Sequence, residues 1–169
     1  MSMQVSSENP LRKRRQAKGR MTVLPALALA ISVFFLDQAL KFLVERTMSL
    51  NESITLIPGF LSLTYIHNDG GAFGILGGSQ ILLLLGSVVA VLVVLWMLVS
   101  GPPSRLTTVA CGLILGGAAG NLADRLSSGY VTDYVHFDFW YIFNAADVAI
   151  VSGVLLLLFC SLFPPRRNP

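Results

Sequence analysis

Four long apolar runs, broken by polar segments, set the frame of this chain: residues 21–44, 80–100, 106–123 and 143–163. A helix needs roughly 20 apolar residues to cross a hydrocarbon core of about 30 Å, so each run predicts a membrane-spanning helix. The cleanest is QILLLLGSVVAVLVVLWMLVS at 80–100, which carries no charge and stops at Gly101-Pro102-Pro103. Between the first two runs the pattern changes. Leu61, Leu63 and Tyr65 alternate with Ser62, Thr64 and Ile66, and period two with β-branched and aromatic residues predicts a strand. Pro58-Gly59 and Asn68-Asp69-Gly70-Gly71 punctuate it as turns, so a small β element is expected over about 50–75. Residues 125–142 read as a polar and aromatic link. Residues 1–20 show no apolar periodicity and are expected to form a disordered basic tail ahead of one membrane domain, 21–169. Ala28-Leu29-Ala30 after a basic segment has the look of a cleavable signal sequence. The apolar run continues past it to Leu36, however, so an uncut helix is expected.

Composition sharpens this picture. Of 169 residues, 54% are hydrophobic and 12% are charged, against about 25% charged in a soluble domain. The fold class is therefore an all-α integral membrane protein: four transmembrane helices and a small β element outside the membrane. The net charge of +3 does not suggest nucleic acid as a partner, because the basic residues cluster at the chain ends. They lie in the tail, at Arg105 and at Arg166-Arg167, while the other side holds Arg46 and Arg125. The excess of Lys and Arg on the cytoplasmic side predicts both termini in the cytoplasm. The β element and the 124–147 segment then share the outer face. Cys111 and Cys160 both lie in apolar runs and read as small packing residues. No internal repeat is evident.

The chain is poor in acids, yet Asp124, Asp133 and Asp147 sit where hydrocarbon begins, accompanied by Asn121 and Asn144. Ionisable groups at a membrane boundary cost energy and mark candidate functional sites. Asp37 and Lys41, four apart near the end of the first run, share a helix face. They are either a self-satisfied ion pair or a pair that orients a site. Asn68 is equally readable as turn chemistry. Gly116 and Gly120 form a Gly-x-x-x-Gly pair that permits close helix approach. With two histidines, no His-Glu-x-x-His and no Cys/His cluster, no metal or other cofactor is expected. No Gly-x-Ser-x-Gly or phosphate-binding loop is present either. What remains is carboxylates. Two brought close together cannot both ionise comfortably and share a proton. One can then take a proton from water while the other donates to a carbonyl oxygen. The residues alone leave a second reading open, an aspartate-lined transport or binding site in a small membrane protein.

The blocks Asp37-Gln38-x-x-Lys41, Asn68-x-Gly70-x-Ala72-Phe73, Gly116-Gly117-Ala118-x-Gly120-Asn121-Leu122-x-Asp124-Arg125, Gly129-x-Val131-x-Asp133 and Phe143-Asn144-x-Ala146-Asp147 stand in this order between the apolar runs. In this the chain resembles the bacterial lipoprotein signal peptidases (signal peptidase II) from about residue 22 to 163. The resemblance implies an aspartyl endopeptidase of the cytoplasmic membrane whose substrate is a diacylglyceryl-modified prolipoprotein, cut just before the lipidated cysteine. It implies a catalytic dyad of Asp133 and Asp147, flanked by Asn121 and Asn144. Asp124 is implied to form a structural pair with Arg125. Asp37, Lys41, Asn68, Gly70 and Ala146 are implied to shape or support the substrate site, under a β-cradle formed by the 45–79 element. Partners are then lipoprotein substrates and membrane lipid, and a monomer is expected. The link between Asp133 and Asp147 is short for the family, which suggests a trimmed outer loop. The positive end of the last helix favours Asp147 as the base and Asp133 as the protonated partner.

Overall fold

The computed structural model describes residues 10–70, 80–100 and 105–163. It contains four helices and three strands: α1 (Pro10–Thr47), β1 (Ser53–Ile57), β2 (Leu61–Asn68), α2 (Gln80–Ser100), α3 (Arg105–Ser127), β3 (Val131–Phe137) and α4 (Ala145–Leu162). Val23–Thr47, Arg105–Ser127 and Ala145–Leu162 are long and apolar enough to cross a membrane. In α2 the apolar stretch with described side chains is Leu85–Leu98. The first helix differs from expectation. It begins at Pro10, not near residue 21, so residues 10–20 continue the helix. Lys, Arg, Gln and Ala are good helix formers and proline suits a first helical position, so the basic segment extends the membrane helix. Residues 1–9, Ala72-Phe73 and Arg166-Arg167 lie outside the described residues.

Helix α3 is the central one, and its small residues explain why. Gly112 and Gly116 face Ala26, Leu29, Ala30 and Val33 of α1, and Gly120 faces Asp37. A Cβ at Gly116 would lie 2.6 Å from the Ala30 carbonyl oxygen, so only glycine allows the two backbones to approach this closely. Gly117 meets the Ala146 carbonyl and Ile150 on α4, and Gly153 of α4 meets Ala110 and Ile114 in return. Around these contacts Ala26, Ala30, Val94, Leu98, Cys111, Ile114 and Leu115 form the buried apolar core. Both cysteines are free thiols, Cys111 within this core and Cys160 half-buried. The outward faces stay apolar, as lipid-facing helices require: Val151, Val154, Leu155, Leu158 and Phe159 of α4 are all exposed.

The strands form one antiparallel sheet in the order β1-β2-β3. The strand β3 falls in the segment read from the sequence as a polar and aromatic link. Val131 to Tyr134 are buried in succession, so no polar alternation advertises a strand. The sheet joins the C-terminal end of α1 to the junction between α3 and α4, because β2 and β3 pair along their length. Its second apolar cluster, Val44, Met48, Tyr65 and Tyr134, seats the sheet on the end of α1, and Thr132 donates to Glu45 at 2.6 Å. After β3 the chain turns and returns. Phe143 and Val135 exchange backbone hydrogen bonds at 3.0 and 2.8 Å, which delivers Asn144 to the start of α4 beside Asp133.

Candidate active site

The site is built where α4 begins. A helix start leaves backbone N–H groups without intrahelical partners. Here the first three are taken by side chains of β3, of α1 and of the helix's own N-cap. The Ala145 N–H reaches the Tyr134 hydroxyl oxygen on β3 at 3.3 Å. The Ala146 N–H donates to Asp37 Oδ1 on α1 at 2.9 Å. The Asp147 N–H donates to Asn144 Oδ1 at 3.0 Å. In return the Asn144 N–H donates to Asp147 Oδ2 at 3.2 Å, completing a capping box. Asp147 is thereby fixed by its own helix start.

Asn144 is fully buried and works in two directions. While its oxygen caps α4, its Nδ2 donates to Asp133 Oδ1 at 2.6 Å. One amide therefore ties Asp133 on β3 to Asp147 on α4. Asn68 of β2 donates to the other oxygen, Asp133 Oδ2, at 2.8 Å. It reaches across the sheet diagonally, because Asn68 is registered with Val131 and Ile66 with Asp133. Gly70 completes this corner: its N–H donates to Asn68 Oδ1 at 2.9 Å, and its φ of 92° is a left-handed value that suits glycine. Burial pushes the Asp133 carboxyl up from 3.8 to about 6, and the Asp147 carboxylate nearby adds to the rise. Hydrogen bonds from Asn68 and Asn144, and the Lys41 charge, pull the other way. Burial likewise pushes the Tyr134 phenol up to about 12, so it keeps its proton beside the carboxylates.

Behind this pair lies a buried charge cluster. Lys41 is 3% exposed; its ammonium forms ion pairs with Asp37 Oδ2 and Asp124 Oδ2, each at 2.7 Å, and donates to Asn121 Oδ1 at 3.0 Å. Asn121 Oδ1 also receives Asn144 Nδ2 at 3.1 Å, so its amide is oriented with Nδ2 toward Asp147 Oδ1, 2.7 Å away. Gln38 donates to Asp124 Oδ1 at 2.8 Å. One cation thus holds two carboxylates in place and aims a third group at Asp147.

A family model described as signal peptidase (SPase) II matches residues 29–163. The lipoprotein signal peptidase of Moorella thermoacetica is 40% identical over 142 residues, 83% of this chain and 95% of that protein. That of Halothermothrix orenii is 44% identical over 126 residues, 75% of this chain and 87% of that protein. A solved structure described as a bacterial membrane enzyme, at 1.9 Å resolution, superposes with a TM-score of 0.75 at 28% identity. It covers 83% of this chain and 94% of its own. The chain belongs to the signal peptidase II family. It is therefore an aspartic endopeptidase and a multi-pass protein of the cytoplasmic membrane, and the transport or binding reading left open by the residues alone falls away.

Of the residues singled out in the sequence of this signal peptidase, Asp37, Lys41, Asn68, Asn121, Asp124, Asp133, Asn144, Ala146 and Asp147 are brought into one hydrogen-bonded assembly. Gly70 supports it through Asn68. Arg125 is the exception. Asp124 is held by Lys41 and Gln38, not by Arg125, whose guanidinium reaches back to the Asn121 carbonyl at 3.4 Å. Successive helix residues do not face each other, so Asp124 meets α1 while Arg125 bonds within its own helix. Tyr134 was not foreseen, and nothing local announces it, since its partner lies on another element. Gln38 stood inside the Asp37–Lys41 block and could have been drawn from it.

Proposed function

We propose that this signal peptidase removes the signal peptide from prolipoproteins whose cysteine carries diacylglycerol, cutting just before that cysteine, with Asp133 and Asp147 as the dyad. The observation that carries this reading is Asn144, one residue bonded to both carboxylates. Asp147, held at the positive end of α4, takes a proton from water. The resulting hydroxide attacks the scissile carbonyl carbon. Asp133, whose carboxyl holds its proton up to about pH 6, donates that proton to the carbonyl oxygen. Collapse of the tetrahedral diol breaks the C–N bond. The proton on Asp147 passes to the leaving nitrogen and Asp133 recovers its own, so the pair ends as it began. The dyad titrates as a unit, with one proton between two groups.

The relatives' names support lipoproteins as the substrate class. The reading puts the site on the outer face, with both termini in the cytoplasm, on the asymmetry of Lys and Arg along the chain. Asp133→Asn and Asp147→Asn test the dyad. Each is expected to lower cleavage of a lipidated prolipoprotein by at least about a thousandfold, on the scale seen when a group central to acid–base chemistry is removed, in protein that still elutes as a folded species. Asp124→Asn is expected to lower folded yield instead. Substantial turnover by Asp133→Asn or Asp147→Asn would remove that residue from the dyad, and a well-folded but inactive Asp124→Asn protein would make Asp124 catalytic and overturn the assignment.

A further inference from the structure

A pocket of about 370 Å³ opens on the sheet at Asn68, the residue that donates to Asp133, and no step of the mechanism above uses it. Its lining includes Ile66, Asn68, His136, Trp140, Tyr141 and Ile142. Two of these tie it to the reacting centre. Ile66 is the cross-strand partner of Asp133, and Asn68 donates to Asp133 at 2.8 Å. Side chains of directly paired residues stand on the same face of a sheet, so Ile66 and Asn68 connect the pocket wall to the buried Asp133. Trp140 and Tyr141, 64% and 59% exposed, also form part of its wall. A volume of this size lies at the small end of ligand sites and holds a short piece of extended chain.

The location decides which piece. Among the described residues, those lining it belong to β2, the turn after it, β3 or the link to α4, and none to a membrane-spanning helix. The apolar segment of a signal peptide and the acyl chains on the cysteine favour hydrocarbon, among the helices. The chain on the other side of the scissile bond is polar and leaves the membrane. An amphipathic pocket on the sheet suits that side: Ile66 and Ile142 supply apolar surface, Asn68 and His136 supply polar groups, and Trp140 supplies a wall.

Resting on the function proposed above, we propose that this pocket is the subsite for the first residues after the lipidated cysteine, and that Trp140 determines which side chains fit there. The residue immediately after the cysteine lies against the Trp140 wall. A small polar side chain is accommodated and a bulky aromatic one is obstructed. Truncating Trp140 removes the obstruction.

The test uses the full chain in detergent and two diacylglyceryl prolipoproteins that differ only in carrying Ser or Trp directly after the cysteine. The quantity read is the ratio of their kcat/KM values, from which the fraction of folded enzyme cancels. Wild type is expected to favour Ser, and Trp140→Ala to lower the Ser-to-Trp ratio by about tenfold, the scale of a single pocket contact. A second pair of substrates, differing only two residues before the cysteine, is expected to give the same ratio with both enzymes. A Ser-to-Trp ratio that stays within twofold or rises in Trp140→Ala would overturn the subsite, as would a change confined to the second pair. In either case cleavage itself would leave the peptidase reading standing. No cleavage of any lipidated substrate by folded wild type would instead remove the reading on which the subsite rests.

Discussion

Asn144 shows how one side chain organises chemistry here. Its amide has two ends, and each is committed: the oxygen to the start of α4, the nitrogen to Asp133. Asp133 is the carboxyl whose titration follows. Its value is raised from 3.8 to about 6, chiefly by burial. The folded value exceeds the unfolded one, so the contribution of this group to stability is fully present below about pH 4 and is lost as pH rises through about 6. If the reaction needs the proton on Asp133, kcat/KM falls on the alkaline side as that proton is lost. A pH profile of the purified enzyme checks this, and a rate that rises steadily from pH 5 to 8 would contradict the role. The acids and amides of the site were legible as residues, because each stands in a short block near an apolar run. Their partners were not. The bond from the Ala146 N–H to Asp37 joins positions 109 residues apart, and no local pattern encodes it.

At the scale of elements, α3 positions the site by being thin. Gly117 lies against the carbonyl of Ala146, in the first turn of α4. A methyl group there would press on backbone, which cannot rotate away as a side chain can. Gly117→Ala is therefore expected to destabilise by about 1–3 kcal/mol, as overpacked contacts do, and to reduce activity further by displacing Asp147. Gly86→Ala on α2 is the contrast. Nothing lies within 4 Å of a Cβ at that position, so the melting temperature in detergent is expected to hold or rise. Equal losses in the two variants would show that α3 is not specially packed. The helices were legible because apolar runs of this length have few alternatives, and α2 matches the expected 80–100. The strand β3 was not. Period two appears where one face of a strand is buried and the other is wet, whereas Val131, Thr132, Asp133 and Tyr134 are buried together. The helical state of residues 10–20 was missed for the opposite reason: a polar sequence without periodicity extends a helix already formed next to it.

For the whole molecule, the arrangement joins two environments. Helices exposing Val, Leu and Phe form the body, and a three-stranded sheet sits over one end, with Asp133 and Asp147 at their junction. Lipid chains can stay among the helices while the peptide reaches water and the carboxylates. A reporter fused after Pro169 is expected to lie in the cytoplasm, and a reporter inserted in the β1–β2 turn on the outside. The reverse result would turn the site to the wrong face. The most direct measurement is a gel-shift cleavage assay. Purified wild type and Asp147→Asn would each be given one prolipoprotein, with and without diacylglycerol on its cysteine. Cutting of the lipidated form alone, just before the cysteine and lost in Asp147→Asn, is the predicted result. Equal cutting of the unlipidated form, or undiminished cutting by Asp147→Asn, would contradict it.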